Sequence, residues 1–77
     1  MEKDLELIER ELESFATTNN WEYEKELNIW GVKYNYTFTY NEVHKVTIDE
    51  VMLENASVEF VKGLVEKKMD SLLMHYN

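Results

Sequence analysis

Seven glutamates, set in two regular rows, are the side chains of this chain best placed to act together. Glu2, Glu6, Glu9 and Glu13 follow one another at intervals of four, three and four. On a helix turning about 100° per residue they fall in one narrow band, in a row about 16 Å long. Glu22, Glu24 and Glu26 follow at intervals of two, which on a strand places them on one face about 6.7 Å apart. Rigid rows of carboxylates suit electrostatic docking on lysines and arginines of another macromolecule. Like charges at i,i+4 destabilise a helix by about a few tenths of a kcal/mol each, and a surface shaped only for solubility mixes its signs. The plainer origin of such rows is the solvated face of an acidic protein. The sharper form of the docking idea is mimicry of a phosphate backbone, the row entering a basic groove that otherwise takes nucleic acid.

The charge distribution points the same way. Sixteen acidic and eight basic residues leave a net charge of −8. The first thirty positions hold only Lys3, Arg10 and Lys25 as basic residues and carry most of that charge. The sign argues against direct binding to nucleic acid or to acidic membranes and favours a basic protein partner. In charge and size the chain resembles small acidic α+β proteins that inhibit nucleic-acid enzymes; the likeness is one of composition, with no shared motif. Trp30, beside an expected turn and outside the strand alternation, is the candidate aromatic anchor at such an interface.

Other chemistries lack their residues. With no cysteine there is no disulfide, thiolate metal site or cysteine nucleophile. His44 and His75 stand far apart in sequence, and His75 near a helix end suits the helix dipole. Gly31 and Gly63 are too few for a phosphate loop. Ser14, Ser57 and Ser71 stand in no nucleophile-elbow pattern. Asp49, Glu50 and Glu54 lack the residue order of a calcium loop. Paired carboxylates abound, but a hydrolytic pair needs a cleft that 77 residues hardly build. The expectation is a binding protein and not an enzyme, with no cofactor and no metal.

The start, Met1-Glu2-Lys3-Asp4, is acidic where a leader peptide is basic, and no apolar run approaches the ~20 residues of a membrane span. A cytoplasmic location is therefore expected, and the sequons at Asn35 and Asn55 read as chance.

The elements that must hold the glutamates follow from periodicity. Over 2–17, Leu5, Ile8, Leu12 and Phe15 share one helical face, and Thr17, Thr18, Asn19 and Asn20 stop the pattern. Over 21–29, Trp21, Tyr23, Leu27 and Ile29 alternate with polar residues, Lys25 being the exception in the apolar series. This predicts a strand in preference to a helix built on Tyr23, Leu27 and Trp30. Residues 32–40 alternate more cleanly through Val32, Tyr34, Tyr36, Phe38 and Tyr40, with Lys33, Asn35, Thr37 and Thr39 on the other face, a wet one expected to carry Glu22, Glu24 and Glu26 beside them. With Trp30-Gly31 as a turn, Ile29 would pair with Val32, Leu27 with Tyr34, Tyr23 with Phe38 and Trp21 with Tyr40. An extended stretch is expected near 43–47, then a helical turn at 48–54 capped by Thr47 with Glu50. Residues 57–75 read as a helix capped by Ser57, with Val58, Val61, Leu64, Val65, Met69, Leu72 and Tyr76 as its apolar stripe. Lys68 falls within that stripe, where it can snorkel or meet a glutamate of the first helix.

One α+β domain over 1–77 results, in the order α-β-β-(β/α)-α: an antiparallel hairpin or three-stranded sheet packed against two long helices. A chain this short buries only about 60% of its unfolded surface, so the aromatics are expected to reinforce the core. The competing function is structural, a homodimer or larger assembly formed through aromatic sheet surface or through Leu7, Met69, Leu73, Met74 and Tyr76.

Overall fold

The first helix, α1 (Leu5–Thr18), forms where leucine and glutamate dominate and the apolar residues repeat at helical spacing. It belongs to a computed structural model that describes residues 4–28, 31 and 33–74. Asp4 caps the helix, its carboxylate accepting from the Leu7 N–H at 3.4 Å. The Thr-Thr-Asn-Asn stop is a Schellman closure. Asn20 turns left-handed at φ 61°, its N–H donates to the Thr17 carbonyl, and the Trp21 N–H donates to the Ala16 carbonyl at 2.9 Å. The apolar contact that accompanies such a closure is made by Phe15 and Trp21, whose rings meet edge to face at 5.3 Å.

The sheet is antiparallel, with β1 (Glu22–Leu27), β2 (Tyr34–Tyr40) and β3 (His44–Asp49) in that spatial order. Tyr23 pairs with Phe38 and Leu27 with Tyr34, the register expected from apolar alternation. Both strands are shorter than predicted. Trp21 stands before β1 and packs on α1, so it forms no pair with Tyr40. The Gly31 N–H donates to the Asn28 carbonyl and the Asn28 N–H to the Lys33 carbonyl, each at 2.8 Å, as the chain turns back between β1 and β2. Gly31, at φ 67°, closes that turn. The Ile29–Val32 pair and Trp30 lie outside the described residues.

Residues 41–56 resolve into strand, then helix. β2 and β3 are joined by a tight turn in which Asn41 and Glu42 both take positive φ, 55° and 65°, and the Val43 N–H donates to the Tyr40 carbonyl. Two successive left-handed residues make a type I′ turn, whose twist matches the flanking strands. The cap of α2 (Glu50–Asn55) is Asp49 and not Thr47, with the Met52 N–H donating to the Asp49 carboxylate at 2.9 Å. Thr47 is held in mid-strand, where its hydroxyl shares a 3.1 Å hydrogen bond with that of Thr37 opposite. The last helix, α3 (Val58–Met74), begins as expected, the Phe60 N–H donating to the Ser57 hydroxyl.

One core unites these elements. Leu12 and Ala16 of α1, Tyr36 and Phe38 of β2, Val46 and Ile48 of β3, Leu53 of α2, and Val61, Val65 and Met69 of α3 are all buried. Each fully buried large apolar side chain contributes roughly 1.5–3 kcal/mol. Phe15, Trp21, Tyr23, Tyr36 and Phe38 form a continuous ring cluster with centroids 5.3–6.4 Å apart, each such pair adding about 0.5–1.5 kcal/mol beyond area. Met69, counted as a possible assembly residue, is therefore core, and Leu73 packs against it. Lys68 is exposed, and among the described residues it belongs to neither ion pair, Lys25–Glu9 nor Lys33–Glu54.

Candidate interaction surface

The α1 row does not stay a row. Glu6 and Glu13 are exposed, whereas Glu9 turns inward with its side chain only 15% exposed. Lys25 explains this. Its place in the apolar series of β1 puts it on the covered face, opposite Tyr36 in the ladder and beneath α1. There its ammonium lies 2.9 and 3.0 Å from the two oxygens of Glu9 and 4.0 Å from the centre of the Tyr34 ring. The buried Tyr36 hydroxyl donates to Glu9 at 2.6 Å, a charge-assisted bond. Glu9 thus ties α1 to β1 and β2. Its expected outward role is corrected: its charge is answered within the protein. The interruption of an apolar alternation by Lys25 was the signal in the sequence for this contact.

The carboxylate also sets the proton affinities around it. The Tyr36 hydroxyl is held far above its ordinary value by burial first and by its bond to Glu9 second. Tyr23 is pushed up to about 12, by burial and then by the charges of Glu9 and Glu13. The Lys25 ammonium is raised by its hydrogen bond to Glu9. The Tyr23 hydroxyl is buried and has no hydrogen-bond partner among the described residues.

The β1 row is different. Glu22, Glu24 and Glu26 are all exposed, on the face of the strand opposite Lys25. Their neighbours across the ladder are Thr39, Thr37 and Asn35, none of them charged. Lys33, expected beside this row, pairs instead with Glu54 of α2 at 2.7 Å, which raises its own proton affinity. Glu50 is likewise occupied, accepting from the Tyr34 N–H at 3.2 Å. Thr39, expected on a wet face, is almost fully buried.

Of the residues singled out in the sequence, Glu6 and Glu13 lie on α1 over the covered side of the sheet and Glu22, Glu24 and Glu26 lie on its open side. The outer edge of β1 separates the two groups. Glu2 and Trp30 lie outside the described residues. Like-signed charge on an outer strand also discourages edge-to-edge pairing with other chains. Among the described residues no group of three or more His, Cys, Asp and Glu is placed to hold a metal ion, and no helix is long and apolar enough to cross a membrane. Comparison of the chain with protein-family models, with curated proteins and with solved structures finds no match.

Proposed function

We propose that this protein is a small cytoplasmic binding module, without catalytic activity, that docks its acidic surface on a basic partner protein and inhibits or regulates that partner by occlusion. The observation that carries the reading is the row Glu22, Glu24 and Glu26, exposed on one strand face with uncharged neighbours opposite. Alternate strand residues stand about 6.7 Å apart, a regular repeat of negative charge like that of a nucleic-acid strand. A groove that binds nucleic acid is therefore one basic surface that suits this row. Glu6 and Glu13 extend the field around the β1 edge; Glu9 does not take part.

The test is capture of basic proteins from host extract by the wild-type chain and by the triple variant Glu22→Lys, Glu24→Lys, Glu26→Lys. The expected result is a partner whose capture is lost in the variant, weakened by salt and competed by a DNA oligonucleotide. Capture unchanged by the triple variant would remove the proposal.

A second reading, assembly through self-association, is favoured by Phe60 and Met74 of α3, which are 55% and 75% exposed. Sedimentation equilibrium from micromolar to millimolar concentration decides it, since a constant monomer mass rules it out.

A further inference from the structure

β3 pairs with β2 on one side only. Its outer edge runs beside α3, and between them lies a groove of about 350 Å³ lined by Lys45, Val46 and Thr47 of the strand and Lys68, Ser71 and Leu72 of the helix. Three consecutive strand residues line it, so the groove follows the strand edge itself. An outer strand leaves the N–H and C=O groups of alternate residues unclaimed. The buried Val46 and half-buried Leu72 form its apolar part, and the two lysines and two hydroxyls its polar part.

Its charge is the reverse of the rest of the molecule. No carboxylate lines the groove, and neither Lys45 nor Lys68 is in an ion pair among the described residues. Glu22 stands in line with Lys45 across Thr39, about 9.6 Å away at two strand spacings, so physiological salt, with its Debye length of about 8 Å, weakens its field at the groove. The two lysines make the groove a basic spot on a chain whose net charge is −8.

We infer that the β3–α3 groove receives an extended acidic peptide from another protein, added to the sheet as a fourth strand. Main-chain bonds to residues 45–47 supply affinity, as in other strand-addition complexes. Alternate side chains divide between the two faces of the sheet: those on the covered face meet Val46, Leu72 and Lys68, and carboxylates on the open face meet Lys45. This surface is independent of the acidic row on β1, and with it the protein carries two docking faces of opposite sign.

The test uses the full chain, labelled with nitrogen-15, and three probes: a blocked seven-residue peptide alternating glutamate and valine, the same peptide with lysine for glutamate, and inorganic phosphate. The expected result is saturable shifts of the amides of residues 45–47 and 68–72 with the acidic peptide alone. Affinity should fall at least tenfold in Lys45→Glu/Lys68→Glu and stay unchanged in the control Lys67→Glu, whose side chain lies outside the groove. Both altered lysines are exposed, so the variants keep the fold. Equal binding of the lysine peptide, or no shift at residues 45–47, overturns the inference. Phosphate reproducing the shifts as strongly as the peptide would make this a site for small anions and overturn it too. Self-association abolished by Lys45→Glu would put β1 of a second copy in the groove, with the same consequence.

Discussion

Two tyrosines on the covered face of the sheet show how much a single hydroxyl depends on its partner. The Tyr36 hydroxyl donates to Glu9 at 2.6 Å, whereas the Tyr23 hydroxyl is buried with no partner among the described residues. A hydrogen bond to a charged group is worth about 1.5–3 kcal/mol, while removal of an unsatisfied buried group is nearly neutral or stabilising. Tyr36→Phe should therefore lower stability by about 1.5–3 kcal/mol and Tyr23→Phe should not lower it, as read by urea unfolding at pH 7. Equal losses would refute the assignment of Glu9 as acceptor. The same residues set the alkaline limit. Tyr23 and Tyr36 bind their protons more tightly folded than unfolded, and so does Lys25. Their contribution is complete below the unfolded values of 10.0 for tyrosine and 10.5 for lysine. It is lost as pH rises above them, through about 12 for Tyr23. Unfolding midpoints measured from pH 9 to 12 should fall, and should fall less steeply in Tyr23→Phe.

At the scale of elements, the connections show where local preference and tertiary need conflict. Asn20 and Asn41 suit left-handed positions, since asparagine tolerates them. Glu42 does not, yet it stands at φ 65° as the second central residue of the type I′ turn between β2 and β3. An ordinary L-residue in that conformation costs about 1–2 kcal/mol, and Asn-Gly is the favoured pair for the turn. Glu42→Gly should raise stability by about 0.5–1.5 kcal/mol, part of the relief being offset by the greater freedom of glycine unfolded. Differential scanning calorimetry reads this as a higher Tm; a lower Tm would show that the Glu42 side chain stabilises the turn. The handover from β3 to α2 follows a simpler rule. Asp49 and Thr47 are both good capping types, but the ladder holds Thr47 against Thr37 and leaves Asp49 at the strand end, where its carboxylate reaches the Met52 N–H.

At the scale of the whole molecule, a net charge of −8 on 77 residues means that like charges repel across the surface. The described ion pairs are Lys25 with Glu9 and Lys33 with Glu54, and neither relieves the β1 row. Glu22→Gln, Glu24→Gln, Glu26→Gln should therefore leave stability unchanged or raise it at low salt, by about 1 kcal/mol at most, and the gain should shrink as salt screens the wild type. Chemical unfolding at 10 and 300 mM salt checks this. A large loss instead would mean that the row is structural and would weaken its claim to a binding role.

Local pattern along the chain was enough to read the α+β class, both long helices, the hairpin register through Tyr23–Phe38 and Leu27–Tyr34, and the caps and stops written in Ser57 and the Thr-Thr-Asn-Asn run. These are legible because periodicity and capping act between residues near in the chain, where a side chain's direction follows from backbone geometry alone. Packing between elements, in contrast, turned Glu9 inward and drew Lys33 from the sheet face to α2. It alone also brought Lys45 and Lys68 to one groove. Each of these joins residues at least sixteen positions apart, and the long flexible side chains of glutamate and lysine go where opposite charge or a hydroxyl meets them. Helical spacing assigns such a residue to a face; which element packs there, and what that element carries, decides whether its charge is offered outward or answered within.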